Sequence, residues 1–145
     1  MIIINHEGII MADEKRTKLE TIKEESNYLR GTLRQTLLED VDYFSGDETQ
    51  LLKFYGIYQQ DNRDTRKERL KNKQPKDYSL MMRSRFPGGV ISPEQYLMYD
   101  RISERLAGGS IRLTTRQVIQ LHGVLKKNAK AVLKEIHRAS LTTFG

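Results

Sequence analysis

Two short stretches in the last third of the chain constrain the fold more than any other feature, because both alternate apolar and polar residues. In residues 110–114 (SIRLT) and 116–122 (RQVIQLH), isoleucine and leucine recur at every second position. A period of two is typical of a half-buried strand, and a polar break between two such runs favours a turn. We therefore predict a β-hairpin with one apolar face.

The opposite face of this predicted hairpin carries polar and cationic side chains. It holds Arg112, Thr114, Gln120 and His122, with Arg116 at the turn. Guanidinium, hydroxyl, amide and imidazole groups on a rigid sheet are suited to binding anions. An ordinary solvated face has the same pattern, so the hairpin alone leaves both interpretations open.

The segments around the hairpin predict one further strand and two helices. Residues 78–86 (YSLMMRSRF) alternate, with Arg83 and Arg85 on the polar side. Residues 92–95 (SPEQ) combine a capping serine, a proline and a capping-box glutamine, which is a strong helix start. A last helix is expected over residues 125–139, with Leu125 on its apolar stripe and Lys126 outside that stripe.

The resulting order is strand, helix, strand, strand, helix, which is typical of a ferredoxin-like α+β sheet that lacks its final strand. The two helices would cover the apolar face, including Leu113. The opposite face would gather Arg83, Arg112 and the hairpin's polar residues from three strands. This convergence favours the anion-binding interpretation.

The charge is divided unevenly along the chain. Residues 1–50 hold 6 Lys/Arg and 11 Asp/Glu, a net of −5, whereas residues 51–145 hold 19 and 8, a net of +11. We interpret the first part as an acidic, extended or helical arm and the second as the folded half domain. A basic body suggests an anionic partner, such as a polyanionic cofactor, nucleic acid or an acidic protein.

Within and after the arm, three further elements are expected. Residues 32–40 (TLRQTLLED) predict a short helix with its three leucines on one side. Residues 50–60 (QLLKFYGIYQQ) mix aliphatic and aromatic residues and suggest an extended, buried segment with a bend at Gly56. Residues 61–73 are intensely charged and predict a helix capped by Asp61 or Asn62.

Composition excludes several classes of site. The chain has no cysteine, so it cannot supply a disulfide or ligate an iron–sulfur cluster through thiolates. No apolar run approaches the roughly 20 residues of a membrane helix, and the first residues do not resemble a signal peptide. We expect a cytoplasmic protein. Met11 has the setting of an alternative start, which would make the first ten residues an extension.

Five sequence blocks in order resemble the sulfite reductase hemoprotein (beta) subunits of the sirohaem nitrite/sulfite reductase family. They are residues 27–32 (NYLRGT), 54–64 (FYGIYQQDNRD), 83–90 (RSRFPGGV), 112–117 (RLTTRQ) and 122–128 (HGVLKKN). The resemblance runs from about residue 25 to the end of the chain. Members of this family are several times longer, so the resemblance implies an N-terminal fragment that contains the first ferredoxin-like half domain.

The resemblance implies a cofactor and a set of contacts. Sirohaem has a carboxylate-rich rim, which requires several cations. By resemblance, the sirohaem-contacting positions are Arg83, Arg112, Thr114, Thr115, Arg116, Gln120 and His122. Arg83 is also implied as the catalytic residue that meets the substrate anion, sulfite. No metal ligand is implied within this chain.

The chain also departs from the family. In the family, four cysteines far downstream hold a 4Fe-4S cluster that is bridged to the sirohaem iron, and no cysteine exists here. The resemblance therefore implies part of a six-electron sulfite reductase fed by an NADPH flavoprotein, inactive in isolation. A ferredoxin-dependent nitrite or sulfite reductase is the neighbouring alternative.

Two functions of other classes remain open at this point. A basic ferredoxin-like sheet can bind nucleic acid, but the predicted polar face offers no aromatic residue between Arg112 and His122 on which bases would stack. The chain could also be a remnant without activity that needs a partner chain to fold.

Overall fold

The computed structural model describes residues 3–5, 8–10 and 16–144, the first two segments as backbone only. Strands β1 (Ile3–Asn5) and β2 (Gly8–Ile10) pair with each other antiparallel. Met11, the expected alternative start, lies outside the described residues.

A four-stranded antiparallel sheet in the order β3-β4-β6-β5 organises the rest of the chain. Its strands are β3 (Ile57–Asp61), β4 (Tyr78–Ser84), β5 (Ile111–Leu113) and β6 (Ile119–Val124). The helices are α1 (Lys18–Glu25), α2 (Leu33–Thr36), α3 (Gly46–Phe54), α4 (Arg63–Lys71), α5 (Pro93–Leu106) and α6 (Lys126–Arg138), and Pro87–Gly89 forms a 3-10 turn.

The predicted α+β order is confirmed, because β4, α5, β5, β6 and α6 follow one another as expected. The start of α5 is the predicted capping box, in which the Ser92 hydroxyl accepts from the Gln95 backbone and the Gln95 side chain accepts from the Ser92 backbone. Asn62 caps α4, also as predicted. These helix starts are local sequence signals, so they need no tertiary information.

One face of the sheet packs against α5 and α6 and forms the core. The residues without solvent exposure come from both layers and are Met82, Tyr99, Leu121, Val124, Val132 and Ile136. The predicted apolar positions of β4 and β6 are therefore confirmed. Across the sheet, Ile57 pairs with Met82, Met82 with Leu121, and Leu121 with Ile111, which places these four residues on the core face.

The prediction of an extended segment over residues 50–60 is wrong for its first half. Helix α3 runs to Phe54, because Ser45 and Glu48 form a capping box and Leu51 and Leu52 turn into the core. Only after Gly56, at a φ of +67°, does the chain become β3, the sheet's fourth strand. The aromatic residues that follow Leu52 obscure the helical period in the sequence.

Some leucines predicted to be inward are exposed. Helix α2 ends at Thr36, so Leu37 and Leu38 are 41% and 81% exposed instead of lying beside the buried Leu33. Leu113 is 77% exposed at the end of the short edge strand β5, although its register partner Ile119 is 3% exposed.

The burial of the first two residues of the predicted last helix is the reverse of the prediction. Leu125 is the extended N-cap residue and is 42% exposed, so it does not belong to the apolar stripe. Lys126 is buried, and its ammonium donates to the backbone carbonyls of Glu39 (2.9 Å) and Val41 (2.6 Å). The helix is thereby tied to the acidic loop before α3. Among the helices of the described residues, none has the length and apolar character to cross a membrane.

Candidate functional site

The sheet face turned away from α5 and α6 is polar, and we call it the open face. Alternation and strand pairing place eight strand residues on it: Tyr58, Gln60, Ser79, Met81, Arg83, Arg112, Gln120 and His122. None of the eight is acidic. The open face therefore presents donors without a carboxylate of its own.

A row of three side chains crosses the open face. Arg83 of β4 is the register partner of Gln120 of β6, and Gln120 is also the register partner of Arg112 of β5. Neighbouring strands lie about 4.8 Å apart, so the row spans roughly 10 Å. Three predicted site residues are thereby brought side by side by strand pairing.

Neither guanidinium of this row has a carboxylate partner among the described residues. The ion pairs in that part of the chain involve Arg16, Lys18, Arg66 and Arg138. The guanidinium groups of the half-buried Arg83 and the exposed Arg112 are thus not neutralised by the described residues. Guanidinium groups bind carboxylates and oxyanions in bidentate geometry.

His122 joins the row one step along β6. The strand is irregular here, with a register shift against β4 and a φ of +73° at Gly123. The backbone carbonyl of His122 accepts from the Gly108 backbone at 2.8 Å, which holds the irregular segment in place. His122 Nε2 lies 3.2 Å from Gln120 Oε1, a distance that suits donation from a ring protonated at Nε2.

Burial lowers the pKa of His122 below its usual 6.5, and the nearby Arg112 guanidinium lowers it further. The imidazole is therefore neutral at neutral pH. It acts as a hydrogen-bonding group rather than as a third cation beside Arg112.

The three predicted residues at the turn lie apart from this row. Thr114 is half-buried at the end of the hairpin, and its hydroxyl accepts from the Arg116 backbone at 3.3 Å. The Gln117 backbone donates to the Thr114 carbonyl at 3.0 Å and closes the turn. Thr115 and Arg116 are exposed at its tip, beyond the paired part of β5 and β6.

Tyr58 of β3 is an open-face residue that sequence reasoning missed. The Arg83 guanidinium carbon lies 5.9 Å from the centre of the Tyr58 ring, a cation–π distance. The sequence-based statement that the polar face offers no aromatic residue between Arg112 and His122 holds for β5 and β6, but β3 adds an aromatic ring to that face. Residues 57–60 (IYQQ) do not alternate apolar and polar residues, so no sequence signal marked Tyr58 as an open-face residue, and that strand was expected as part of a longer buried segment.

An open groove of about 920 Å³ leads from this face past the start of α4. Ser79, Arg112 and His122 line its sheet side, and its far side carries both Arg63 and Arg66 and the carboxylates of Asp61, Asp64 and Asp77. Arg66 is engaged by Asp61 through two hydrogen bonds of 2.6 and 2.7 Å. The groove is large enough for a ligand that extends well beyond a small inorganic anion.

Comparisons with known proteins agree on one family. The family model described as nitrite/sulfite reductase ferredoxin-like half domain matches residues 72–139, a range that includes Arg83, Arg112, Gln120 and His122. The chain is 50% identical over 132 residues to the NADPH sulfite reductase hemoprotein beta-component of Staphylococcus haemolyticus, and 44% identical over 132 residues to that of Bacillus subtilis. In the first case the match covers 90% of this chain and 23% of the relative, so the chain spans about a quarter of that relative's length.

A solved structure shares the fold. The structure of the Mycobacterium tuberculosis NirA protein superposes with a TM-score of 0.70 at 20% identity, over 90% of this chain and 25% of that one. The predicted ferredoxin-like half domain and the resemblance stated from the five sequence blocks are confirmed by these comparisons.

Proposed function

We propose, from the premise that residues 72–139 are a nitrite/sulfite reductase ferredoxin-like half domain, that this chain supplies part of the sirohaem and sulfite site of a sulfite reductase. The observation that carries the proposal is the row Arg83–Gln120–Arg112, whose guanidinium groups have no carboxylate partner among the described residues.

The donor set on the open face fits a cofactor with a carboxylate rim. Arg112, Gln120 and His122 would hold sirohaem carboxylates, with Thr114, Thr115 and Arg116 available at the adjoining turn. Burying a carboxylate without a charged partner costs a large desolvation free energy. Two guanidinium groups on one face, neither paired within the chain's described residues, offset that cost. When bound, sirohaem supplies the iron at which the family's substrate is reduced.

Arg83 is the residue that we assign to the substrate anion. It lies at the β4 end of the row, between the Tyr58 ring and Gln120, and is half-buried. The ring contact restricts the guanidinium without neutralising it. A fixed cation of this kind binds sulfite and stabilises negative charge that develops as S–O bonds break.

The remaining parts of the reaction lie outside this chain. The relatives are named as NADPH sulfite reductase components, and the chain spans 23% of the first relative's length. We propose that the six-electron reduction of sulfite to sulfide also requires a 4Fe-4S cluster, for which these 145 residues supply no cysteine, and a flavoprotein that delivers electrons from NADPH. A cysteine-free chain suits the reducing cytoplasm, which is the compartment we propose.

Cofactor binding by the 145-residue chain tests the proposal. We expect saturable binding of sirohaem, followed by its absorbance change, and at least about tenfold weaker binding for Arg112→Ala, since a hydrogen bond to a charged group contributes about 1.5–3 kcal/mol. Lys71→Ala, which removes an exposed cation of α4, is the matched control and should bind as the unaltered chain does. Absence of saturable binding, or equal affinity for Arg112→Ala, contradicts the proposal.

A second experiment separates the role of Arg83 from that of Arg112. The chain is co-expressed with the part of the Staphylococcus haemolyticus relative that lies beyond the match, and sirohaem content and sulfite reduction are both measured. Arg83→Ala should lower turnover more than sirohaem content, whereas Arg112→Ala should chiefly lower content. Equal losses of turnover and content in Arg83→Ala would make it a cofactor contact only.

A further inference from the structure

A second groove lies on the other side of the molecule, where α6 meets the segment before β3. It has a volume of about 660 Å³. Its floor is apolar and includes the buried residues Leu33, Phe44, Leu52, Ile57 and Leu80. We call it the apolar groove.

Exposed apolar side chains continue the apolar groove towards solvent. Leu37 and Leu38 after α2 are 41% and 81% exposed, and Phe144 is 52% exposed where its ring lies 5.2 Å from that of Tyr55. Single exposed apolar side chains are common on protein surfaces, but Leu37, Leu38 and Phe144 border one concave site. The groove therefore exposes a contiguous apolar surface, which is typical of a binding site.

The rim of the apolar groove is cationic on both sides. Arg30 and Arg34 stand on the α2 side, and Lys127 and Lys130 stand on the α6 side; all four are exposed. No acidic residue is among the described residues that line the groove. Lys126 also lines it, but its ammonium is already engaged by two backbone carbonyls.

We infer that the apolar groove binds an amphipathic helix whose apolar stripe is flanked by acidic residues. An apolar floor between two cationic walls complements a helix with leucine-like residues at i, i+3, i+4 and i+7 and carboxylates beside them. A small amphiphile with one anionic group would use only one wall. The presence of cations on both walls favours a ligand with charges on both of its sides.

This site is separate from the proposed cofactor site. The apolar groove and the open face have no lining residue in common. A failure of helix binding would therefore leave the sirohaem proposal intact, and a failure of sirohaem binding would leave this one intact.

Two labelled peptides of about 18 residues, long enough to form a helix on binding, test the inference by fluorescence polarisation with the 145-residue chain. Both carry leucines on one stripe, and the flanking residues are glutamates in one and lysines in the other. We expect the glutamate peptide to bind and the lysine peptide to bind at least about tenfold more weakly at low salt, with the difference shrinking as salt is added.

Charge reversal of one residue on each wall provides the decisive comparison. Arg34→Glu combined with Lys130→Glu should lower the affinity for the glutamate peptide at least about tenfold and raise the affinity for the lysine peptide. Lys67→Glu combined with Lys71→Glu on α4 changes the net charge equally, away from the groove, and should alter neither affinity by more than about twofold. Circular dichroism verifies that both double variants are folded.

Three outcomes would overturn the inference. They are equal binding of the two peptides, affinities that do not change in the wall variant, and binding of palmitate by a chain that binds neither peptide. The last would identify the groove as a site for a small amphiphile.

Discussion

A single carboxylate, that of Glu48, holds the segment before the sheet together. The side chain is only 4% exposed, and it accepts from the hydroxyl of Thr36, from the hydroxyl of Thr32 at 2.8 Å and from the Ser45 backbone at 2.8 Å. Burial raises its pKa, but the hydrogen bonds together outweigh burial and leave the pKa below the usual 4.5. The ionised form is therefore the one that joins α2 to α3.

Because the pKa of Glu48 is lowered in the folded state, its contribution to stability is present above about pH 4.5 and is lost as the pH falls through the folded-state pKa. We expect Glu48→Gln to lower the free energy of unfolding at neutral pH by about 1.5–3 kcal/mol, since charge-assisted hydrogen bonds are lost. Urea denaturation across the acidic range measures this, and the gap between the two proteins should narrow below pH 4.5. The exposed Asp47→Asn is the control, and a gap that persists unchanged in acid would refute this account.

The imidazole of His122 offers a local probe of the open face. Burial and Arg112 both lower its pKa, so the folded state resists protonation and stability declines as the pH falls from 6.5 towards the folded-state pKa. We expect Arg112→Ala to raise the pKa of His122 while leaving it below 6.5, because burial is the larger cause. Ring-proton NMR titration measures the change. Arg116→Ala, at the turn tip, should leave the pKa of His122 unaltered, and an equal effect of both variants would contradict the assignment.

At the scale of elements, Lys126 fastens the first turn of α6 to the loop before α3. Its ammonium donates to two carbonyls and lies 5.8 Å from the centre of the Phe44 ring. We expect Lys126→Met, which retains an unbranched apolar stem, to lower the free energy of unfolding by about 1.5–3 kcal/mol. The neighbouring exposed Lys127→Met should change it by less than about 0.5 kcal/mol. Chemical denaturation of both variants measures the difference, and equal values would show that the carbonyl contacts contribute nothing.

Elements with local start and stop signals could be predicted from the sequence, and elements defined by tertiary contacts could not. The capping box of α5 and the alternation of β6 are patterns of only a few residues, and both were predicted. Helix α3 is the exception: it also begins with a capping box, of Ser45 and Glu48, but it was missed because the aromatic residues after Leu52 obscure the helical period. The burial of Lys126 depends on carbonyls 85 and 87 positions away, which no window of sequence contains.

At the scale of the whole molecule, the two sides of the sheet differ in chemical character. Arginines lie on one face, and an apolar floor with a cationic rim lies on the other; the rim draws on both halves of the sequence, since Arg30 and Arg34 precede residue 51. The alternation in three strands predicted that Arg83, Arg112 and Gln120 share a face. It did not predict that Tyr58 lies against Arg83, because that contact requires a fourth strand contributed from before the hairpin region.

The register of the sheet couples ligand binding to the integrity of the fold. Arg83 and Arg112 belong to strands that touch only through β6, so a polyanion that bridges them is recognised only when all three strands are paired. Binding of such a ligand then raises the free energy of unfolding by about 2.7 kcal/mol when the free ligand concentration is one hundred times the Kd. The melting temperature of the chain would thus depend on ligand concentration, and the bare sheet is the least stable form of the site.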